Sequence, residues 1–489
     1  MNHRLPLFLM AISSSFISGS VLGGLVDPTQ SCINQATTIV EKIDCIPSVE
    51  SVKSIDNDLL GAGVAQYDIQ FTQPIDHNDP KSETFSQKIV LLHRSESEPM
   101  VLQTSGYSIF GVRETAIMNR FKTNQIQVEH RFFATSTPAD LDWSKLNIKQ
   151  SADDFHRITT EFKKIYNKPW VGTGASKGGM TSVFHRYFYP SDLEGTVADV
   201  APLSFSTSDS RYIQFIENVG GEKYASCRSK LQKFQRMLLE SRDQILPKIE
   251  GDFKYLGGAS VAFEHAVLES SFIFWQYLDP EDNLVGCDEI PEYKIPDSLF
   301  SFLQAINPMS NYIDSGINEF SPYFFQAATE LGNPGVSSKH VDELRKFDFT
   351  IEQYAPKGVN YKYSNSAMLS IESWVKKEAK NIMFIYGEFD PWSAGAFPRG
   401  KDSNSIHHFT VKGGNHGVKF TSLDAERRSE AEAILAKWLA KKPSNRLLDP
   451  DNFDKFANPI SRQKKKLEFL EELEFKARRN LRLTTSSLK

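Results

Sequence analysis

Ser176 stands in Gly174-Ala175-Ser176-Lys177-Gly178, a G-x-S-x-G arrangement. A serine hydroxyl attacks well only when a base takes its proton, and the base needs an acid to hold it in the right tautomer. Where the serine sits on a sharp strand-to-helix turn, the chain order is serine, then an acid, then histidine. Two later segments supply such groups. Asp390 follows the apolar run Ile382-Met-Phe-Ile-Tyr386 and a glycine, and His416 follows Phe409-Thr-Val411 in the Gly-rich stretch Gly413-Gly-Asn-His-Gly417. This predicts nucleophilic catalysis with Ser176 as nucleophile, His416 as base and Asp390 as orienting acid. Glu388 is the rival acid, because it lies nearer the strand end. His185 reads as a packing residue on the helix after the serine, and His407 and His408 lie at the wrong end of the last strand. A negatively charged tetrahedral intermediate also needs N–H donors. Lys177, directly after the nucleophile, should give one; Gly106 or Tyr107, after the apolar run that ends at Thr104, should give the other.

These groups need a scaffold that delivers strand ends to one edge. Runs such as Tyr67-Asp-Ile-Gln-Phe71 and Lys88-Ile-Val-Leu-Leu-His93, with turn residues at Pro74 and Pro80 between them, read as strands. Residues 99–104 and 125–129 read as short buried strands. Asn147 opens a helix, with Gln150 at the capping-box position and apolar residues at helical spacing. Residues 169–172 are a strand that enters the Ser176 turn; a helix runs to about Tyr187, and 196–200 form the next strand. Alternating strands and helices imply a mainly parallel sheet with helices on both faces, with sites just past the strand C-termini. The expectation is an α/β-hydrolase fold.

The alternation stops between residues 205 and 365. Leu231, Phe234 and Leu238 make one helical stripe, and Val261, Leu268, Phe272 and Trp275 another. We read 205–365 as a helical lid inserted between two parts of one hydrolase domain, 25–204 and 366–442. Residues 443–489 read as a charged tail, basic at 462–466 and acidic with interleaved Leu and Phe at 468–474. Residues 1–24 read as a signal peptide: a short basic start, an apolar stretch over 5–17, then small residues. That implies a secreted or periplasmic protein. The apolar stretch is too short and Ser-rich to span a bilayer, and no later stretch looks transmembrane.

The net charge of −5 speaks against nucleic acid or an anionic membrane as partner. Four cysteines in an exported chain favour local disulfides, Cys32–Cys45 and Cys227–Cys287, among three possible connectivities. The absence of a C-x-x-C pair argues against zinc or redox use, and no metal or cofactor is expected. With 35 Phe and 16 Tyr, the chain should hold a large aromatic core or an aromatic-lined cavity.

Assembled, these blocks resemble the secreted bacterial prolyl tri/tetrapeptidyl aminopeptidases, relatives of the lysosomal Pro-X carboxypeptidases. The matching stretches include Val128-Glu-His-Arg-Phe-Phe133, Asp142-Trp-Ser-Lys-Leu146, Gly172-Thr-Gly-Ala-Ser-Lys-Gly-Gly-Met180, Phe389-Asp-Pro-Trp392 and Gly413-Gly-Asn-His-Gly417. The resemblance implies a serine exopeptidase that removes short N-terminal peptides, cutting after proline, and it maps nucleophile, acid and base onto Ser176, Asp390 and His416. Peptides would then be the partners; the oligomeric state is left open. A peptidase of this kind must hold a charged terminus. Glu129 is one candidate, against the plainer role of an ion pair with Arg131 or Lys177. A buried Lys177 at a helix start should seek a carboxylate, with Glu129 foremost. Trp275 and Tyr277 could line a proline pocket, against the plainer role of core packing. A carboxylesterase or lipase on the same fold would share the triad, and a non-catalytic peptide-binding protein is the third alternative.

Overall fold

The computed structural model describes residues 27–359, 362–400 and 405–444. The leader assigned to 1–24 and almost all of the tail assigned to 443–489 lie outside these residues. The strands are β1 (Val49–Ile55), β2 (Ala65–Pro74), β3 (Thr84–His93), β4 (Met100–Thr104), β5 (Asn124–Val128), β6 (Trp170–Ala175), β7 (Gly195–Asp199), β8 (Ile382–Gly387) and β9 (Ile406–Val411). They form one sheet in the order β1-β2-β3-β5-β4-β6-β7-β8-β9. The pairs from β1 to β5 across β2 and β3 are antiparallel, and every pair from β5 to β9 is parallel. This is the mainly parallel α/β-hydrolase sheet, with β6 near its centre.

Strands β4 to β8 are short and almost wholly buried because both faces of the sheet are covered there. One face carries the helix Ile148–Phe162, whose Phe155, Ile158 and Phe162 pack with Ile69, Phe71, Leu102 and Trp170. Asn147 caps that helix, its side chain accepting from the Gln150 N–H at 3.0 Å. The helix Ala425–Trp438 covers strand residues Val171, Val197, Met383 and Ile385. Each fully buried aromatic or large aliphatic side chain here contributes roughly 1.5–3 kcal/mol. β1 was not legible as a strand. In Val49-Glu-Ser-Val-Lys-Ser-Ile55 only every third residue is apolar, and it pairs on one side only, with β2 at the sheet edge.

Between β7 and β8 the described chain is helical, including Ser210–Asn218, Ala225–Glu240, Ala259–Tyr277, Pro296–Ile306 and Asp314–Gln326. These helices enclose an apolar cluster of their own, with Leu231, Phe234, Leu238, Phe263, Val267 and Trp275 inside. The disulfide Cys227–Cys287 closes a loop within this segment, and Cys32–Cys45 ties the N-terminal helices. Among the described residues no helix is long and apolar enough to cross a membrane.

Candidate active site

β6 ends at Ala175 and the next helix, Lys177–Phe188, begins one residue later, so Ser176 must turn the chain by itself. It does so at φ 56°, ψ −126°, a conformation that costs a non-glycine residue about 1–3 kcal/mol. Its N–H donates to the Asp199 carbonyl at 2.9 Å, and its carbonyl accepts from Met180 N–H at 3.0 Å. The flanking glycines are required by space. A Cβ on Gly174 would lie 2.3 Å from the Gly178 carbonyl oxygen, and one on Gly178 would lie 2.4 Å from that of Thr104. The Thr104 hydroxyl donates to Gly178 O at 2.6 Å, which ties the end of β4 to the turn.

β8 runs through Gly387 into Asp390, which caps the short helix Pro391–Gly395 by accepting from Trp392 N–H at 3.1 Å. Its other oxygen, Oδ2, lies 2.8 Å from His416 Nδ1. Asp390 is fully buried and the His416 side chain is 7% exposed. His416 sits on the loop after β9, and its backbone N–H donates to Gln276 O at 2.9 Å. Asn415 Nδ2 donates to Tyr277 O at 3.0 Å. The loop is thus hung from the end of the helix Ala259–Tyr277. The rings of Tyr277 and Trp392 flank the imidazole, at 5.9 Å and 6.1 Å between centroids. Glu388 points elsewhere: it is exposed and accepts from Gly413 N–H at 2.7 Å. His185 is buried and bonded to Asp192, and burial lowers His408 to about 4.

The loop after β4 lies directly on the serine turn. Gly106 has φ +74°, and a Cβ there would sit 2.5 Å from Gly178 N. Tyr107 turns its hydroxyl toward the Ser176 side chain, and burial raises that phenol far above its usual range. The sequence suggested Tyr107 only as a backbone donor; the side chain's approach depends on a loop path that no local pattern encodes.

Lys177 corrects one expectation. Its ammonium makes no ion pair with Glu129. It donates to the Gly106 carbonyl at 2.6 Å, between the rings of Tyr107 and Phe133 at 5.4 and 5.2 Å. Burial lowers its pKa to about 7, opposed by the charge of Glu330. Glu330 is itself raised to about 7 by burial, again with Lys177 opposing. Glu129 is held elsewhere. Its oxygens accept from Ile109 N–H at 3.1 Å, Thr135 Oγ1 at 2.9 Å, and Ser136 N–H and Oγ at 3.1 and 2.8 Å. Nor does Glu129 pair with Arg131, whose guanidinium takes Asp154 through two bonds of 2.7 Å. Glu129 is buried and braces a loop, its Oε2 taking three of these bonds and its Oε1 one.

Beside the triad residues lies a cavity of about 460 Å³, lined by Tyr107, Tyr277, Tyr323 and Trp392 and by residues of the helical segment, among them Glu269 and Phe272. Tyr277 therefore reaches the cavity. Trp275 does not: it is fully buried against Tyr224, Phe274 and Phe389 in the helical core. Trp392 and Glu269 were not identified from the sequence as site residues. The Asp-Pro-Trp stretch marked the first; nothing in the sequence separated Glu269 from Glu264 on the same largely apolar helix.

The chain is 37% identical over 387 residues to the prolyl tri/tetrapeptidyl aminopeptidase of Streptomyces mobaraensis, a match covering 76% of this chain and 80% of that protein. It is 21% identical over 388 residues to the lysosomal Pro-X carboxypeptidase of Bos taurus, covering 66% of this chain and 76% of that one. Among solved structures, a proline iminopeptidase of Mycobacterium smegmatis aligns at 12% identity and a TM-score of 0.34, over 76% of this chain and 97% of its own. The PS-10 peptidase S37 family matches residues 34–468. With that match spanning the serine turn, both later loops and the helices between them, the chain belongs to the peptidase S37 family and is a serine peptidase.

Proposed function

We propose that this protein is a secreted exopeptidase that releases tri- or tetrapeptides from peptide N-termini, cutting after proline, through Ser176, His416 and Asp390. The observation that carries the reading is the 2.8 Å bond from His416 Nδ1 to buried Asp390, on loops after β8 and β9, strands parallel to the β6 that ends at the Ser176 turn. With Nδ1–H held by Asp390, Nε2 is the free base. Ser176 Oγ attacks the scissile carbonyl as Nε2 takes its proton. The imidazolium, stabilised by Asp390, returns the proton to the leaving amine, and water then resolves the acyl-enzyme by the same steps. Backbone N–H groups of Lys177 and of Gly106 or Tyr107 receive the oxyanion, and the Tyr107 hydroxyl is a further donor facing the same serine.

Residues 205–365 act as a lid over this site. They contribute most of the cavity wall, so short or unfolded chain ends enter and folded proteins do not. Two disulfides accord with an oxidising compartment. The Streptomyces relative supports peptide substrates and proline before the cut. The test is a peptide library of defined N-termini, with fragments identified by mass spectrometry. Release of tri- and tetrapeptides ending in proline is the expected result. Internal fragments, or ester hydrolysis with no peptide turnover, would refute the reading.

A further inference from the structure

The cavity holds a carboxylate that the triad chemistry does not use. Glu269 lies on the helix Ala259–Tyr277, is half-buried and lines the cavity. The Tyr312 hydroxyl donates to its Oε2. Asn307 Nδ2 in turn donates to the same phenol oxygen at 2.8 Å, which fixes the ring. Burial raises the Glu269 carboxyl to about 7, with the Tyr312 bond opposing, and no cation of the described chain is among the influences on it. The second carboxylate on the cavity wall, Glu319, is exposed. A carboxylate oriented by a buried phenol, in an aromatic cavity and without a countercharge, suits a ligand that brings its own cation.

The same helix sets a distance. Glu269 and Gln276 are seven residues apart and both line the cavity. Two helical turns separate them by ~10 Å along the axis. The Gln276 carbonyl holds the His416 backbone, so one end of this span is the carboxylate and the other the base of the proposed triad. An extended peptide advances ~3.3–3.6 Å per residue, so about three residues fill the span.

We propose that Glu269, held by Tyr312, is the anchor for the α-ammonium group of the peptide substrate, and that its spacing from His416 selects a cut about three residues from the N-terminus. This rests on the exopeptidase reading above. Tyr323 and Tyr354 also lie on the cavity wall.

The test uses Ala-Ala-Pro-p-nitroanilide and its N-acetylated form, with fluorophosphonate labelling as an independent check of Ser176. The wild type is expected to favour the free amine by at least ~10-fold. Glu269→Gln should lose roughly 10- to 100-fold in kcat/KM on the free-amine peptide, mainly through KM, and change little on the acetylated one, with labelling unaltered. Indifference of the wild type to acetylation, an unchanged free-amine rate in Glu269→Gln, or equal losses on both peptides would overturn the proposal. Should Glu269→Gln lose its label, Glu269→Asp gives the same comparison: a loss confined to the free-amine peptide supports the anchor, and equal losses overturn it. A wild type that takes the label but cleaves neither peptide refutes the exopeptidase reading itself, and the anchor falls with it.

Discussion

Replacing Lys177 by Met separates stability from turnover. The folded ammonium titrates near 7 instead of 10.5 because it is buried. Between those values the unfolded chain holds more protons than the folded one, so stability rises with pH across that window. Below about pH 7 the penalty is complete, roughly 5 kcal/mol. Met keeps much of the volume and removes the penalty. It also removes the bond to the Gly106 carbonyl, which costs about 1–3 kcal/mol if that oxygen is left unpaired, and the contacts with the Tyr107 and Phe133 rings. The variant should therefore be at least as stable as the wild type at pH 6.5. The comparison should move in favour of the wild type by ~3 kcal/mol at pH 9.5. Urea unfolding of both proteins at the two pH values measures this; groups that do not feel the Lys177 charge cancel in the difference, and Glu330, which does, has almost finished titrating by pH 9.5. Turnover should fall by roughly 10- to 100-fold at every pH, because the Gly106–Tyr107 loop loses its tether beside the serine. A stability difference that does not change with pH would refute the buried-ammonium argument. An unchanged kcat would refute the tethering role.

Two further substitutions test the geometry. Gly106→Ala places a Cβ 2.5 Å from Gly178 N at φ +74°; kcat should drop by at least ~10²-fold, and retained activity would show that this loop does not serve the oxyanion. Asp390→Asn leaves the shape but loses control of the His416 tautomer; a fall of ~10⁴-fold in kcat with little change in Tm is expected, and activity within tenfold of wild type, seen in a steady-state peptide assay, would remove Asp390 from its role.

The serine turn was legible because its constraints are local. Gly174 and Gly178 are needed by backbone approaches of 2.3 and 2.4 Å, so the spacing itself encodes the turn. Asp390 and His416 were picked out because each follows an apolar strand that runs into a glycine turn, and the helical stripe at Leu231, Phe234 and Leu238 falls on one buried face of Ala225–Glu240. What failed depended on tertiary contacts and loop paths that no local pattern encodes. Lys177 could not reveal that it would bond to a carbonyl 71 positions away. Glu129 gave no sign that Ser136 and Thr135 would consume its oxygens. Trp275 and Tyr277 are two residues apart, yet one packs inward and the other faces the cavity; on a helix buried nearly all round, periodicity does not distinguish them.

The central claim is that Ser176 is the nucleophile. Fluorophosphonate labelling followed by intact-mass and peptide mapping tests it most directly. The account predicts one adduct, on Ser176, absent from Ser176→Ala while that variant keeps its Tm. An adduct on another residue, or one that persists in Ser176→Ala, would contradict it.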